Sequence, residues 1–550
     1  MGFDKEARKI REQIKKYSAH SLINNLLDYL AQPSQALGEV EKRPWVALLV
    51  LEWTFELTKE CGEKIATKRD VLTILNQLWK IQHIPANLDD NRPLEVVLRA
   101  LIIPQLKIQK PEHYYRLAFV RTYVIIKKYT VSSKLESKFS EILGLSLDEY
   151  VRIALFLMIA MINDSSGLVR LSYSAIVGAL IDRYNLRSIT RTLHILGIDL
   201  ATMTQTLKQD HDRYIRDNEY FQDSIFYRKP FLLLEEGLVS PHCSATSRGV
   251  AESLINHFIR LDDKLRTEFT KAFEHYLGDL FTNHQLKFLS EVDLLKFYKR
   301  HKFSDKVADF VIFEDTGIIA IDAKGVEPRS DTVTTTKKYN LTRRLRDHHL
   351  KGIEQAVITL KNLVLQNHPS LHPQLPRYAI VVTHQDFFVG TGFHFKNYID
   401  DLSWQRLEEL SEGIIDLGNI HFLSIGHIET LLKLRQQHPN CLIDFLAYAS
   451  KCAADKSAMA FEVEQYMARF SREVLGEDGF PACGDELLAS FQALCEEVID
   501  DIESTRKFWY HISPIERRVD VFYHNYLKLI DLMLSTMDET RFTENTIINR

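Results

Sequence analysis

Residues 307–324 read VADFVIFEDTGIIAIDAK, and this stretch decides the fold class. Two apolar runs, Val307–Phe313 and Ile318–Ala323, flank Asp315-Thr316-Gly317, a tight-turn signal, and so predict a β-hairpin. Alternation along a strand sends Asp322 and Lys324 to one face and Ile319, Ile321 and Ala323 to the other. Asp309 shares its face with Val307, Val311 and Phe313, and the hairpin brings it across the ladder towards Asp322. A carboxylate inside an apolar run is costly to bury without a partner, and a metal ion is one such partner.

Working outward, the order is helix, strand, strand, strand, helix, strand. FTKAFEHYLGDLF (269–281) is helical, with a core stripe of Phe269, Phe273, Tyr276, Leu277 and Leu280. Glu274 lies on the flank of that stripe, semi-buried, and is the expected third carboxylate; Glu291 is its rival. Leu286–Val292 is expected as the first strand, followed by the two of the hairpin. A long helix is predicted over Leu341–Leu365, a buried strand over Tyr378–Thr383, a short strand over His421–Ile425 and a helix from Ile428.

Phosphodiester hydrolysis suits such a residue set. It needs a divalent cation, which polarises the phosphate and lowers the pKa of water. Mg²⁺ prefers oxygen ligands, so two or three carboxylates with room for water are required. A neighbouring lysine neutralises developing charge. A bare Asp/Glu-x-Lys is a weak signal. Glu136-Ser137-Lys138 and Asp262-Asp263-Lys264 match it too, on polar helical segments without a hairpin.

With the helix, VADFVIF and IIAIDAK in that order, the chain resembles the PD-(D/E)xK, or restriction-endonuclease-like, nuclease superfamily over about residues 250–430. The resemblance implies an αβββαβ core. It implies Asp309 and Asp322 as metal ligands, with Glu274 and the Ala323 carbonyl beside them. Lys324 would be the catalytic lysine, and Gln355 a polar residue of the second core helix facing the site. Ala308 stands where the motif's name has proline. The implied cofactor is Mg²⁺ or Mn²⁺, and the implied substrate nucleic acid, DNA rather than RNA by family habit.

Lys337, Lys338, Arg343, Arg344, Arg346 and Lys351, with His348 and His349 among them, are expected to line a phosphate track. The competing reading of that run is a solvated helix face.

The rest of the chain bounds the answer. At 550 residues it exceeds one hydrophobic core. The expected division is a helical domain over 1–230, the nuclease-like domain over 231–435 and a helical region over 436–550. The fold class is thus α+β/α/β multidomain, with all-helical flanks. In the first part Leu22, Leu26 and Leu30 repeat at four. Trp45–Leu57 and Val151–Ile162 are apolar nearly all round, as for central bundle helices. Ser174–Leu196 could be drawn as a helix-turn-helix with Arg187 and Arg191 outward, though two ordinary packed helices fit as well. His211-Asp212 has no further ligands in view. In the last part Phe491, Cys495, Val498 and Ile502 mark one helix face, and Phe522, Tyr526, Leu529 and Met533 another.

The formal net charge of −5 means that a nucleic-acid partner must be met by a local basic patch. The six cysteines have no zinc spacing and read as thiols of a reducing compartment. No apolar leader and no 20-residue apolar run is seen, so a cytoplasmic protein without a membrane span is expected. The helical regions are candidates for homo-oligomer contacts. A role in defence against foreign DNA follows only by analogy of architecture. The alternatives are a nucleic-acid-binding module with an inactive core, and a helical scaffold.

Overall fold

The computed structural model describes residues 2–31, 43–86, 94–110, 112–130, 134–162, 170–210, 217–235, 237–325, 335 and 338–510. The chain is mixed α/β and mostly helical, with two small mixed sheets. Among the described residues no helix is long and apolar enough to cross a membrane. His211-Asp212, Lys337 and the face of Phe522, Tyr526, Leu529 and Met533 lie outside the described residues.

The first sheet is small and was not foreseen in full. Phe231–Leu234 (β3) and Gly237–Val239 (β4) form an antiparallel hairpin after Pro230. Arg170–Ser172 (β1) adds antiparallel to β4, and Gly197–Asp199 (β2) adds parallel to β3. Both added strands are three residues long, too short for an alternation pattern to register. They join residues on both sides of position 230. Ser174–Leu196 forms two packed helices, Tyr173–Leu180 and Leu186–Leu196, the second capped by Asn185. Arg191 donates to the Leu143 carbonyl at 3.2 Å, so it turns inward rather than out to a groove.

The second sheet runs β5-β6-β7-β8-β9: Phe288–Ser290, Phe310–Glu314, Gly317–Lys324, Arg377–Thr383 and Ile420–Ser424. The first three strands are antiparallel and the last three parallel. Central β7 is buried on both faces, which is why GIIAIDA reads as an almost unbroken apolar run. Ile319, Ile321 and Ala323 pack with Phe273 and Leu277 of the helix Asp263–Asn283. Ile318 and Ala320 pack on the opposite side with Ile353 and Val357 of the helix Lys351–Leu365.

The order departs from expectation between β5 and β6. Leu286–Val292 does not form one strand: β5 stops at Ser290, and Glu291–His301 is a helix. Ser290 and Asp293 make a reciprocal capping box, Asp293 Oδ2 accepting from Ser290 N at 3.3 Å and Ser290 Oγ accepting from Asp293 N at 3.4 Å. Leu294 and Tyr298, four apart, supply the buried stripe. The signal was in the sequence as S-x-x-D before an apolar pair, and the β-branched Val292 obscured it. The hairpin's first strand is also shorter than expected, since β6 begins at Phe310 and leaves Asp309 just outside the ladder.

A buried ion pair ties three distant segments together. Arg121, on the helix Glu112–Tyr129, meets Glu429, on the helix Ile425–Arg435, with Nε at 2.7 Å from Oε1 and Nη2 at 2.8 Å from Oε2. Tyr276 of the 263–283 helix donates to the same Oε1 at 2.6 Å. Every strong acceptor site of this carboxylate thus faces a donor, as burial of a charge demands.

Candidate active site

The antiparallel register that pairs Phe310 with Ile321 sets Asp309 beside Asp322 at the end of the β6–β7 ladder. Alternation puts both acids on the face covered by the 351–365 helix. Asp309 N donates to the Ile321 carbonyl at 3.1 Å, and Asp309 Oδ2 accepts from Ala323 N at 2.6 Å. The segment before it is pinned from the helix above. Gln355 Nε2 donates to the Val307 carbonyl at 3.3 Å, and Thr359 Oγ1, one turn on, accepts from Ala308 N at 2.8 Å. Gln355 therefore holds backbone, where the sequence suggested that it faced the site. Its companion Thr359 was not singled out, because a threonine inside a helix carries no local mark.

Asp322 is fully buried. Lys324 Nζ lies 2.5 Å from its Oδ2, while Oδ1 has no hydrogen-bond donor. Two glycines permit this arrangement. A Cβ on Gly352 would stand 2.7 Å from Asp322 Oδ2, so only glycine lets the 351–365 helix settle over the carboxylate. A Cβ on Gly325 would stand 2.8 Å from the Thr270 Cα, so glycine also lets the 263–283 helix close on the end of β7. Glu274 sits one turn beyond Thr270 on that helix.

The electrostatics are those of too many acids for the cations at hand. Burial first, then Asp322 and Glu274, push the Asp309 pKa up to about 8, against the pull of the Ala323 amide. Burial, then Glu291, push Glu274 up to about 7, with Lys324 opposing. Burial raises Asp322 as well, and Lys324 opposes that too. Glu291, an exposed residue in the first turn of the 291–301 helix, is close enough to act on both Glu274 and Asp322.

Hard carboxylate oxygens, one of them buried without a donor, fit a divalent cation of the Mg²⁺ class. The structure does not draw Glu274, Asp309 and Asp322 into one tight shell. Among the described residues, the set of three side-chain donors within 4.8 Å of one another is a different one: Asp386, His427 and Glu464.

That second set is held by the chain's own cations. Lys110 pairs with Glu464, and with Glu462 at 3.0 Å. His427 Nδ1 accepts from Ser424 N at 3.0 Å, closing the cap of its own helix. The proton of the neutral ring then belongs on Nε2, which lies 3.2 Å from Glu464 Oε1. That nitrogen lies near the carboxylate without a hydrogen bond to it, and Asp386 Oδ2 and Glu464 Oε2 are also buried without a partner, so the set could hold a metal as well. Burial alone would raise Glu464, but Lys110 and His427 outweigh it and hold the acid low. The cluster reads as a structural ion network between the chain near residue 110, the loop after β8 and the helices at 425–435 and 463–470.

The expected phosphate track is largely neutralised. Lys338 pairs with Asp401 at 2.8 Å, Arg346 with Asp400 at 3.6 Å and Lys351 with Asp347 at 2.6 Å. Arg344 is half-buried and has a partner, which leaves Arg343 exposed. His349 is fully buried in one π-helical turn, Arg346–Leu350, against Phe387 and Phe422. Burial holds it far below the ordinary histidine range, hence neutral. The decoys behave as expected: Glu136-Ser137-Lys138 lies in a helix, and Asp262 is an N-cap.

Comparison with protein-family models, with curated proteins and with solved structures found no match.

Proposed function

We propose that this chain is a divalent-cation-dependent nuclease that hydrolyses phosphodiester bonds, with DNA as substrate, on a restriction-endonuclease-like core. The observation that carries the reading is the fully buried Asp322 with one oxygen lacking a donor, beside Lys324 and opposite Asp309. The hairpin, the crossover helix and the parallel β8 support the core assignment. The helix between β5 and β6 is an insertion relative to it.

Asp309 and Asp322 would hold Mg²⁺ or Mn²⁺, with Glu274 completing the donor set. Bound there, the cation supplies charge for the phosphate oxygens and acidifies water. Lys324 neutralises the negative charge that develops on the phosphate, in a pocket where water screens little. Gln355 and Thr359 act through the 307–308 backbone to hold Asp309 in place. The 351–365 helix excludes water from the inner side of Asp322 through the contact at Gly352.

The test is incubation of the purified full chain with plasmid, linear DNA and RNA in Mg²⁺, Mn²⁺ or EDTA, alongside Asp322→Ala and Lys324→Ala. Cleavage that needs the cation and disappears in both variants is expected. Cleavage that persists in Asp322→Ala, or binding without cleavage in every metal, overturns the reading.

A further inference from the structure

A second group of cations lies at the end of the helix that the sequence had hidden and on the return towards Asp309. Lys299, Arg300, Lys302 and Lys306 are all exposed, and none has an ion-pair partner among the described residues. In the same stretch only Lys296 is paired, with Asp293 at 3.4 Å. This is the reverse of the 338–351 segment, where three of the cations are matched by acids.

The topology ties this stretch to the pocket at both ends. Ser290 pairs with Phe310, so the 291–301 helix starts at the sheet end where Asp309 sits. The helix runs for about 16 Å, at 1.5 Å per residue, along the sheet face, with Leu294 and Tyr298 in the core and the Phe297 ring 5.4 Å from that of His368. Lys302, in the left-handed conformation at φ 60°, turns the chain back. Asp305 accepts from Asn362 at 3.3 Å, and the return continues through Lys306 to the pinned backbone before Asp309. Lys306 is near enough for its charge to act on Asp322. Val292 and Leu295, 59% and 50% exposed, show that among the described residues no other segment covers the side of the helix that carries them.

We propose that the helix Glu291–His301 and its return through Lys306, rather than the 338–351 segment, form the surface on which the phosphate backbone of duplex DNA lies as it enters the carboxylate pocket. This rests on the nuclease reading. Unpaired cations are the ones available to displace counterions from phosphates; a lysine already matched to an aspartate must first give up that pair. A run of them ending at the acids gives a substrate a path to a pocket whose own charge, without a cation, repels it.

The experiment measures binding of a fluorescent 30-base-pair duplex by the full chain in Ca²⁺ across a salt series. The proteins are wild type, the triple variant Lys299→Ala/Arg300→Ala/Lys302→Ala and the comparison variant Lys338→Ala/Lys351→Ala, which removes two paired lysines, each checked for native thermal unfolding. The triple variant should bind at least tenfold more weakly. Its slope of log K against log salt should fall by about 2–3, near 0.9 per lost phosphate contact. The comparison variant should stay within about twofold of wild type. If wild type binds and the triple variant matches it, the inference falls while the nuclease reading stands. If poly-glutamate competes as well as DNA, the surface is a general anion face and the inference also falls. If wild type binds neither duplex, single strand nor RNA, the nuclease reading falls with it.

Discussion

Two clusters of acids lie at neighbouring strand ends of the second sheet, and they differ in how many cations of the chain pair with them. Beyond β8, Asp386, Glu462 and Glu464 are met by Lys110 and His427 from other parts of the chain. At the end of β7, Glu274, Asp309 and Asp322 have one lysine in ion-pair contact, Lys324, with Lys271 and Lys306 acting from further off and Glu291 adding to the excess of acid. In the first cluster burial raises Asp386 and Glu462, and only Glu464 is held below its ordinary range; in the second, all three acids are pushed above theirs. Distance alone would select the first as the metal centre. The proposed site rests instead on the excess of acid over ion-paired cation at the second. A cluster that serves the fold is neutralised by its own chain, and one that serves a cation is left short of positive charge.

The sharpest way to break this comparison is to remove one acid from each cluster. Asp322→Ala and Lys324→Ala should lower the Mn²⁺-dependent cleavage rate by roughly 10³-fold or more, as expected when a group facing transition-state charge is lost. Asp386→Asn should stay within about threefold of wild type in the same plasmid assay. Equal losses in all three would erase the distinction.

Next in size is a stability effect. Arg121→Met strips the cations from buried Glu429 and should cost about 3–5 kcal/mol in urea unfolding, the usual penalty for an uncompensated buried charge. Asp309→Asn should cost nothing at pH 8 in EDTA, because it removes a charge that its surroundings disfavour.

Gly352→Ala probes the pocket without touching a charge. Its Cβ would meet Asp322 Oδ2 at 2.7 Å and a Val381 methyl at 2.9 Å. The carboxylate must shift, so Mn²⁺ affinity measured by calorimetry should weaken by about tenfold. Stability should fall by about 1–3 kcal/mol, as for overpacking. An unchanged affinity would mean that Asp322 holds no cation.

The pH dependence reads the same pocket without a substitution. Asp309 and Glu274 keep protons up to about pH 8 and 7, and a cation must displace them. Mn²⁺ affinity should therefore rise between pH 6 and 8, by about tenfold per unit where one proton leaves. Proton release should show as a buffer-dependent binding enthalpy. The sign for folding is opposite. These acids have folded pKa values above their unfolded ones near 4. The metal-free chain binds more protons folded than unfolded, and loses stability as pH climbs from about 4 to 8. A rise in metal-free stability over that window would contradict the crowding of charge in this pocket.

The chain of 550 residues showed the hairpin, the long helix after it, the parallel strand and the acid-bearing helix in its periodicity alone. Each is a local pattern: turn chemistry at Asp315-Thr316, a two-residue alternation, a stripe at three and four. Asp309, Asp322, Lys324 and Glu274 were legible for the same reason, as charges out of place in apolar runs. The helix at 291–301 was legible too, through its capping box, but a three-residue strand ending at the cap masked it. What only the tertiary structure decided is how those charges are answered. Whether Lys338 meets Asp401, whether Lys299 meets an acid among the described residues, which proton His427 keeps, and how closely Gly352 approaches Asp322 all depend on segments far apart in the chain. Periodicity records which side of an element is apolar. It cannot record the identity of the charge that folding brings opposite, because Coulomb energy and desolvation are set by distances in space rather than by spacing along the chain.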